Sequence, residues 1–217
     1  TKPDAFAPET IWSEELGVKG DLLGGRLRFD LTGFHYSYRN LQSVYFDTET
    51  RTQRVLNVGR VQGYGAEFAT TLRPSRFFDV TGTLTYTHTQ KRGDRDCTLR
   101  DCGGLPNPTW ASSGVGTFHY PLASGEAYLS GEWVYEGRGR QSFDWRGITR
   151  RHGYTAANLR LGYRSESGWE AVAYVENLFD ALYYHGAENG GDLTPATAWG
   201  VSQPRNIGVN LRWRFGD

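Results

Sequence analysis

The chain has 217 residues, equal numbers of basic and acidic side chains, and 38% hydrophobic residues. Because the formal net charge is zero, no overall field draws the chain to nucleic acid, which is therefore not an expected partner. The longest apolar run, Ala171 to Val175, has five residues, whereas a transmembrane helix needs about 20.

Strand-like alternation of apolar and polar residues runs through most of the sequence. Successive side chains of a β-strand point to opposite faces of the sheet, so a period of two indicates a strand with one apolar and one polar face. Nine segments have this pattern, or a weaker form of it, and are predicted as strands: residues 11–20, 26–46, 53–73, 77–90, 109–120, 126–137, 153–164, 169–178 and 203–215.

The last segment has the clearest alternation, and the second segment is irregular. In the second, the alternation changes phase near Thr32 and Gly33, and a glycine at such a point predicts a β-bulge. The bulge would bring Phe34, Tyr36 and Tyr38 onto the apolar face. In the last segment, polar residues alternate with five apolar ones: Ile207, Val209, Leu211, Trp213 and Phe215.

The connections between the segments alternate in length along the chain. Four, near residues 21, 74, 121 and 165, have about five residues or fewer, and three, residues 91–108, 138–152 and 179–202, have 15–24. Residues 47–52, which alternate with these short turns, form the tip of a long predicted hairpin. Tight turns at one end and long loops at the other are typical of outer-membrane barrels. We therefore predict an all-β fold, an antiparallel, up-and-down transmembrane β-barrel. Two alternatives stay open here: a soluble β-sandwich, such as a carbohydrate-binding module, and a passive porin-like channel.

On this prediction, the apolar face contacts lipid and the polar face lines a lumen. Aromatic side chains sit at the headgroup level of membrane barrels, where they form two girdles. Six aromatic residues near the strand ends fit these girdles: Trp133, Tyr135, Tyr163, Trp169, Trp213 and Phe215.

Nine is an odd number of strands, and bacterial single-chain barrels have even numbers. The sequence also begins with Thr1 and contains no methionine. We therefore expect residues 1–217 to be part of a longer chain rather than a complete barrel.

Several short segments resemble the TonB-dependent outer-membrane receptors, in the order in which that family has them. Each segment is a weak signal, but together they span nearly the whole chain. They are residues 2–4 (KPD), 14–20 (EELGVKG), 34–42 (FHYSYRNLQ), 63–67 (GYGAE), 175–183 (VENLFDALY), and 203–206 (QPRN) leading to 213–215 (WRF).

The resemblance implies a plugged barrel of about 22 strands in the bacterial outer membrane. Residues 1–217 would be its C-terminal part, and the plug domain and N-terminal strands would be absent. The implied function is active transport: extracellular loops bind a scarce ligand, most commonly a ferric siderophore, and the TonB complex supplies energy through the absent plug. Outer-membrane lipid and lipopolysaccharide are the implied surroundings. One departure is that Gly216 and Asp217 follow Phe215, whereas the family usually ends on an aromatic residue.

Charged residues on the polar face are expected to be paired. An unpaired buried charge is costly, so the arginines of the seventh and ninth segments, such as Arg160 and Arg212, should contact Glu132, Glu170 or plug residues.

The loop at 138–152 is the first candidate for ligand binding. It carries Arg138, Arg140 and Arg146 beside Trp145. Guanidinium groups bind carboxylate or catecholate oxygens, and an aromatic ring offers a stacking surface, so this loop suits an anionic ligand. The alternative is a loop that contacts lipopolysaccharide phosphates or is only solvated.

The last long loop is the second candidate. Tyr184, His185 and Trp199 lie in it, either facing the ligand or as ordinary surface aromatics. The five histidines of the chain are scattered, and no Ser/His/Asp order or phosphate-binding glycine loop accompanies them. No catalytic residue, cofactor or enzyme activity is predicted.

Cys97 and Cys102 are close together in another polar loop. In an extracellular loop a disulfide is the expected state. On the chain-entropy model, closing so short a loop would raise the free energy of unfolding by roughly 2 kcal/mol. A zinc site would need further ligands at the right spacing, which the sequence does not offer. A calcium site would use Asp94, Asp96 and Asp101, which lack the spacing of a known calcium loop.

Overall fold

The computed structural model describes residues 6–47, 51–57, 59–92, 107–142, 148–190 and 194–214. Every regular element in these ranges is a β-strand, and they contain no helix long and apolar enough to cross a membrane. The strands are β1 (Thr10–Leu22), β2 (Leu27–Arg39), β3 (Gln42–Asp47), β4 (Thr52–Asn57), β5 (Arg60–Ser75), β6 (Phe78–Arg92), β7 (Trp110–Leu122), β8 (Gly125–Glu136), β9 (Gly139–Ser142), β10 (Ile148–Arg151), β11 (Tyr154–Ser165), β12 (Trp169–Glu176), β13 (Tyr184–Gly190), β14 (Thr194–Val201) and β15 (Asn206–Trp213).

Nine of these strands form one large sheet, as the sequence predicts. Its order is β1, β2, β5, β6, β7, β8, β11, β12, β15, and each strand is antiparallel to its neighbours. The other six strands form three two-stranded hairpins. Among the described residues there is no second large sheet to pack against the first, so the β-sandwich alternative is wrong.

The sheet has a turn end and a hairpin end. At the turn end, strands are joined by the short connections 23–26, 76–77, 123–124 and 166–168. At the hairpin end, the chain extends into the hairpins β3–β4, β9–β10 and β13–β14. The predicted alternation of short and long connections is therefore confirmed. The polar loops predicted at 138–152 and 179–202 each contain a hairpin. The sequence did not predict these hairpins, because none of their four strands has a regular apolar face.

The two faces of the sheet differ as expected from the alternation. On the apolar face of β15, Leu211 is 77% exposed, and Ile207, Val209 and Trp213 are exposed as well. Among the residues whose side-chain burial the structure describes, Val61 is the one apolar residue that is buried. The sheet thus has no protein core of its own, and burial in a hydrocarbon phase is the remaining source of hydrophobic stabilisation for its apolar face.

Strand β2 differs from its prediction, because it has no bulge at Thr32–Gly33. Its pairing with β1 and with β5 keeps one register through these two residues. Phe34, Tyr36 and Tyr38 therefore share the polar face with Asp30, and the prediction that they lie on the apolar face is wrong. The Phe34 and Tyr36 rings fit there because glycines occupy the facing positions of β5: a Cβ added at Gly65 would collide with the Phe34 ring, and one at Gly63 with the Tyr36 ring.

Candidate functional site

The described candidate ligand residues all lie at the hairpin end. Arg138 is exposed between β8 and β9, and Arg140 lies in β9. Tyr184 and His185 begin β13, and Trp199 lies in β14 opposite Ala187. The remaining residues of the sequence prediction, Trp145 and Arg146 of the binding site and the pair Cys97 and Cys102, lie outside the described residues.

The two candidate hairpins grow from neighbouring strand pairs, and an aromatic stack joins their bases. The rings of Tyr154, which starts β11, and Tyr183, which precedes β13, are parallel to within 2° with centroids 4.0 Å apart. The Tyr154 hydroxyl donates to Glu136 Oε1, at the end of β8, over 3.0 Å. This contact was not predicted, because it depends on which strands are neighbours.

A belt of charged groups crosses the polar face near the turn end. His119 of β7 lies between two carboxylates: its Nε2 is 2.8 Å from Asp79 Oδ1 of β6, and its Nδ1 is 3.2 Å from Glu126 Oε1 of β8. Arg164 of β11 continues the belt, with Nη1 3.7 Å from Glu126 Oε1.

Glu170 of β12 is the most enclosed member of the belt, with its side chain 16% exposed. Its Oε1 accepts hydrogen bonds from Arg164 Nη2 and from the Tyr128 hydroxyl, each over 3.1 Å. Its Oε2 is 3.8 Å from Arg212 Nη1 of β15. The belt therefore links six strands that are neighbours in the sheet: β6, β7, β8, β11, β12 and β15.

A second charged contact lies further toward the hairpin end of the same face. Arg160 donates to Glu132 Oε1, and Asn158 Nδ2 donates to Glu132 Oε2 over 3.2 Å. The expected pairing of Arg160 and Arg212 with Glu132 and Glu170 is thus confirmed. In the described part of the chain, no group of three or more His, Cys, Asp or Glu side chains is placed to hold a metal ion.

Glu170→Ala should destabilise the sheet more than a carboxylate removed from a turn. We expect a loss of about 1.5 kcal/mol, the lower end of the range for hydrogen bonds to charged groups, because Arg164 and Arg212 keep much of their hydration. Glu166→Ala, an exposed change in the neighbouring turn, should stay within about 0.5 kcal/mol. Urea unfolding of the receptor in lipid vesicles measures both, and equal losses would contradict the assignment.

Aromatic side chains ring both ends of the apolar face. Toward the hairpin end, Tyr86 of β6 contacts Tyr64 and Trp110, with ring centroids 6.4 Å and 4.8 Å apart. At the turn end, Tyr163 and Trp169 are 5.1 Å apart. Of the predicted girdle residues, Phe215 lies outside the described part of the chain. The others lie on this face: Trp133, Tyr135, Tyr163, Trp169 and Trp213.

A family profile and two curated proteins match this chain in sequence. The profile of the family described as "TonB dependent receptor-like, beta-barrel" matches residues 2–178. The metal-pseudopaline receptor CntO of Pseudomonas aeruginosa, in strains UCBPP-PA14 and PAO1, is 27% identical over 214 residues. This alignment covers 97% of the chain and 28% of the receptor, so the chain spans little more than a quarter of these curated relatives.

Solved structures share the fold. The ferric yersiniabactin uptake receptor FyuA of Yersinia pestis superposes with a TM-score of 0.77 at 18% identity, over 97% of this chain and 31% of that one. The ferric-catecholate import receptor Fiu of E. coli K12 superposes with a TM-score of 0.71 at 21% identity, over 95% of this chain and 27% of that one. The ferripyoverdine receptor of P. aeruginosa superposes with a TM-score of 0.70 at 18% identity, over 97% of this chain and 28% of that one.

Proposed function

The chain belongs to the TonB-dependent receptor-like β-barrel family, and from that premise we propose that it is part of a receptor that imports a metal chelate with energy supplied through TonB. The family places it in the bacterial outer membrane. The observation that carries the proposal is the nine-stranded sheet, which has an apolar face, a charged face, tight turns at one end and hairpins at the other. Such a sheet is a barrel wall with its hairpins outside the cell.

The wall is proposed to be the C-terminal part of a barrel of about 22 strands, which a plug domain fills. In the described sheet, β1 and β15 each have one neighbour. Open edges with unpaired N–H and C=O groups do not occur in hydrocarbon, so further strands must complete the wall. The charged belt on the polar face would then line the lumen and meet the plug.

The proposed ligand is a ferric siderophore or a similar chelate. The name of the relative CntO supports this class, as do the ligands in the names of the structural neighbours. The proposed binding surface consists of the residues on or beside the hairpins β9–β10 and β13–β14. Arginines there would bind an anionic chelate, and aromatic rings would pack against it. These residues are Arg138, Arg140, Trp145, Arg146, Tyr184, His185 and Trp199.

A growth assay tests the function. The full-length receptor is expressed in a Gram-negative strain without its own siderophore receptors, in metal-limited medium. Single additions are ferric yersiniabactin, ferric pyoverdine, a ferric catecholate, metal–pseudopaline and free copper. We expect growth with at least one chelate, and no growth in the same strain without TonB. Growth that does not need TonB would indicate a passive channel instead.

A binding measurement with the chelate that supports growth tests the binding surface. Replacing Arg138 and Arg140 together by alanine should weaken the binding of an anionic chelate at least about tenfold. A tenfold change in affinity corresponds to about 1.4 kcal/mol, and the loss of one charge-assisted hydrogen bond at each site exceeds that energy. Arg73→Ala is the matched control, since Arg73 lies near the turn end of β5. Equal effects of the two changes would remove β9–β10 from the proposed site.

A further inference from the structure

A buried asparagine ties both legs of the hairpin β13–β14 to the wall. Asn177 follows β12 and is 8% exposed. Its Oδ1 accepts from the backbone N–H of Ala181 over 2.9 Å, and its Nδ2 donates to the Ala181 carbonyl over 3.1 Å. The same Nδ2 donates to the carbonyl of Gln203, beyond the other leg, over 2.9 Å. One side chain therefore contacts the chain before β13 and the chain after β14.

Further hydrogen bonds connect this anchor, Asn177, to the wall and to the hairpin. The backbone N–H of Asn177 donates to Asn158 Oδ1 of β11 over 3.0 Å, which fixes the anchor to the wall. Ser202, which is also buried, accepts from the N–H of Tyr183 and donates to the carbonyl of Ala181. Asn177 has a φ of +50°, a conformation that asparagine adopts more readily than most residues.

A second asparagine makes the same arrangement at the hairpin β3–β4. Asn57 ends β4, and its Oδ1 accepts from the N–H of Ala7 over 2.7 Å while its Nδ2 donates to the Ala7 carbonyl over 2.9 Å. The Nδ2 also donates to the carbonyl of Asn40, before β3, over 2.7 Å. Gln42 reinforces the contact, with Nε2 donating to the Ala7 carbonyl over 3.2 Å.

These hydrogen bonds compensate for the neighbouring strands that the hairpins lack. A two-stranded hairpin that projects beyond a sheet has no neighbouring strands, and in water it is marginally stable alone. A carboxamide offers an acceptor and a donor side by side, so it pairs with the backbone N–H and C=O of one residue as a neighbouring strand would. Each asparagine thus adds a cross-connection at the point where the hairpin leaves the wall.

We propose that Asn177 and Asn57 are positioning residues that fix the direction of hairpins β13–β14 and β3–β4 above the lumen. Asn177 thereby sets where Tyr184, His185 and Trp199 meet the transported chelate. This inference rests on the proposed function for its ligand, and on the hydrogen bonds alone for its mechanical part.

Hydrogen exchange of the full-length receptor tests the mechanical part without any ligand. Asn177→Asp keeps the size and the acceptor but removes both donated hydrogen bonds. We expect the amides of residues 181–203 to exchange at least about tenfold faster, while peptides from β6 and β7 remain unchanged. Asn210→Asp, the same change on the polar face of β15, should leave residues 181–203 unaffected.

Two outcomes would overturn the proposal: unchanged exchange in residues 181–203, or an equal rise across the strands of the wall. If Asn177→Asp does not assemble, Ser202→Ala takes its place, because it removes the hydroxyl that joins Tyr183 to Ala181. The same expectations and the same contrary results apply to it.

Measuring ligand binding and import distinguishes a positioning role of Asn177 from a purely structural one. With the chelate that supports growth, Asn177→Asp should raise Kd while the import rate at saturation stays the same for equal amounts of receptor. A lower receptor yield with unchanged Kd would contradict positioning. If no chelate supports growth, the proposed function fails, and the exchange result alone still decides whether Asn177 holds the hairpin.

Discussion

Leu84→Arg should destabilise the barrel by about 2–4 kcal/mol, the range for arginine on a lipid face near the bilayer midplane. Leu84 lies on the apolar face of β6 between Val80 and Tyr86, two residues before Tyr86, and is 43% exposed. In a bilayer this exposure becomes contact with acyl chains. The midpoint of urea unfolding in lipid vesicles measures the loss.

Thr85→Arg is the matched control, one residue along the same strand. Thr85 points to the polar face, directly opposite Glu67 of β5. An arginine there gains a carboxylate partner and water, so we expect a change within about 0.5 kcal/mol. Equal losses at both positions would mean that β6 does not have one lipid face and one wet face.

Gly162→Val should cost about 1–3 kcal/mol, the usual penalty for overpacking. Gly162 of β11 is buried beside the ring of Tyr128, and an added Cβ would collide with that ring and its hydroxyl. The Tyr128 ring would have to move, and its hydroxyl would lose the Glu170 carboxylate. The same unfolding measurement detects the change.

A neighbouring glycine provides the control for this effect. A Cβ added at Gly131 of β8 would lie 3.9 Å from Leu159 Cδ1, an ordinary contact distance, so Gly131→Val should be close to neutral. In a double-mutant cycle, Tyr128→Ala should relieve part of the cost of Gly162→Val. Additive losses would show that the ring is not the obstacle.

The sequence was sufficient to predict the wall, because the period of two is a local property. In β15, alternate residues from Ile207 to Trp213 define the apolar face without reference to any other strand. The lengths of the connections then distinguish the two ends of the sheet. Both kinds of information are present within a few residues of one another.

Contacts across strands could not be predicted in the same way. Whether Phe34 and Tyr36 face the lumen depends on glycines of β5 that lie about 30 residues later in the chain. The phase change in β2 therefore resembled a bulge, although it is an exchange of aromatic residues from one face to the other. The anchor at Asn177 was hidden for the same reason, since its partners include Gln203 and Asn158.

In a lipid bilayer, alternate residues of one strand of the wall should contact acyl chains and the residues between them should contact water. Spin labels placed singly from Val80 to Tyr86 of β6 measure this contact, in the full-length receptor with Cys97 and Cys102 replaced by serine. Collision with oxygen, which concentrates in lipid, should peak at Val80, Leu84 and Tyr86. Collision with a water-soluble nickel chelate should peak at Thr81, Thr83 and Thr85. Equal accessibility at neighbouring positions would show that β6 does not have one lipid-facing side and one water-facing side.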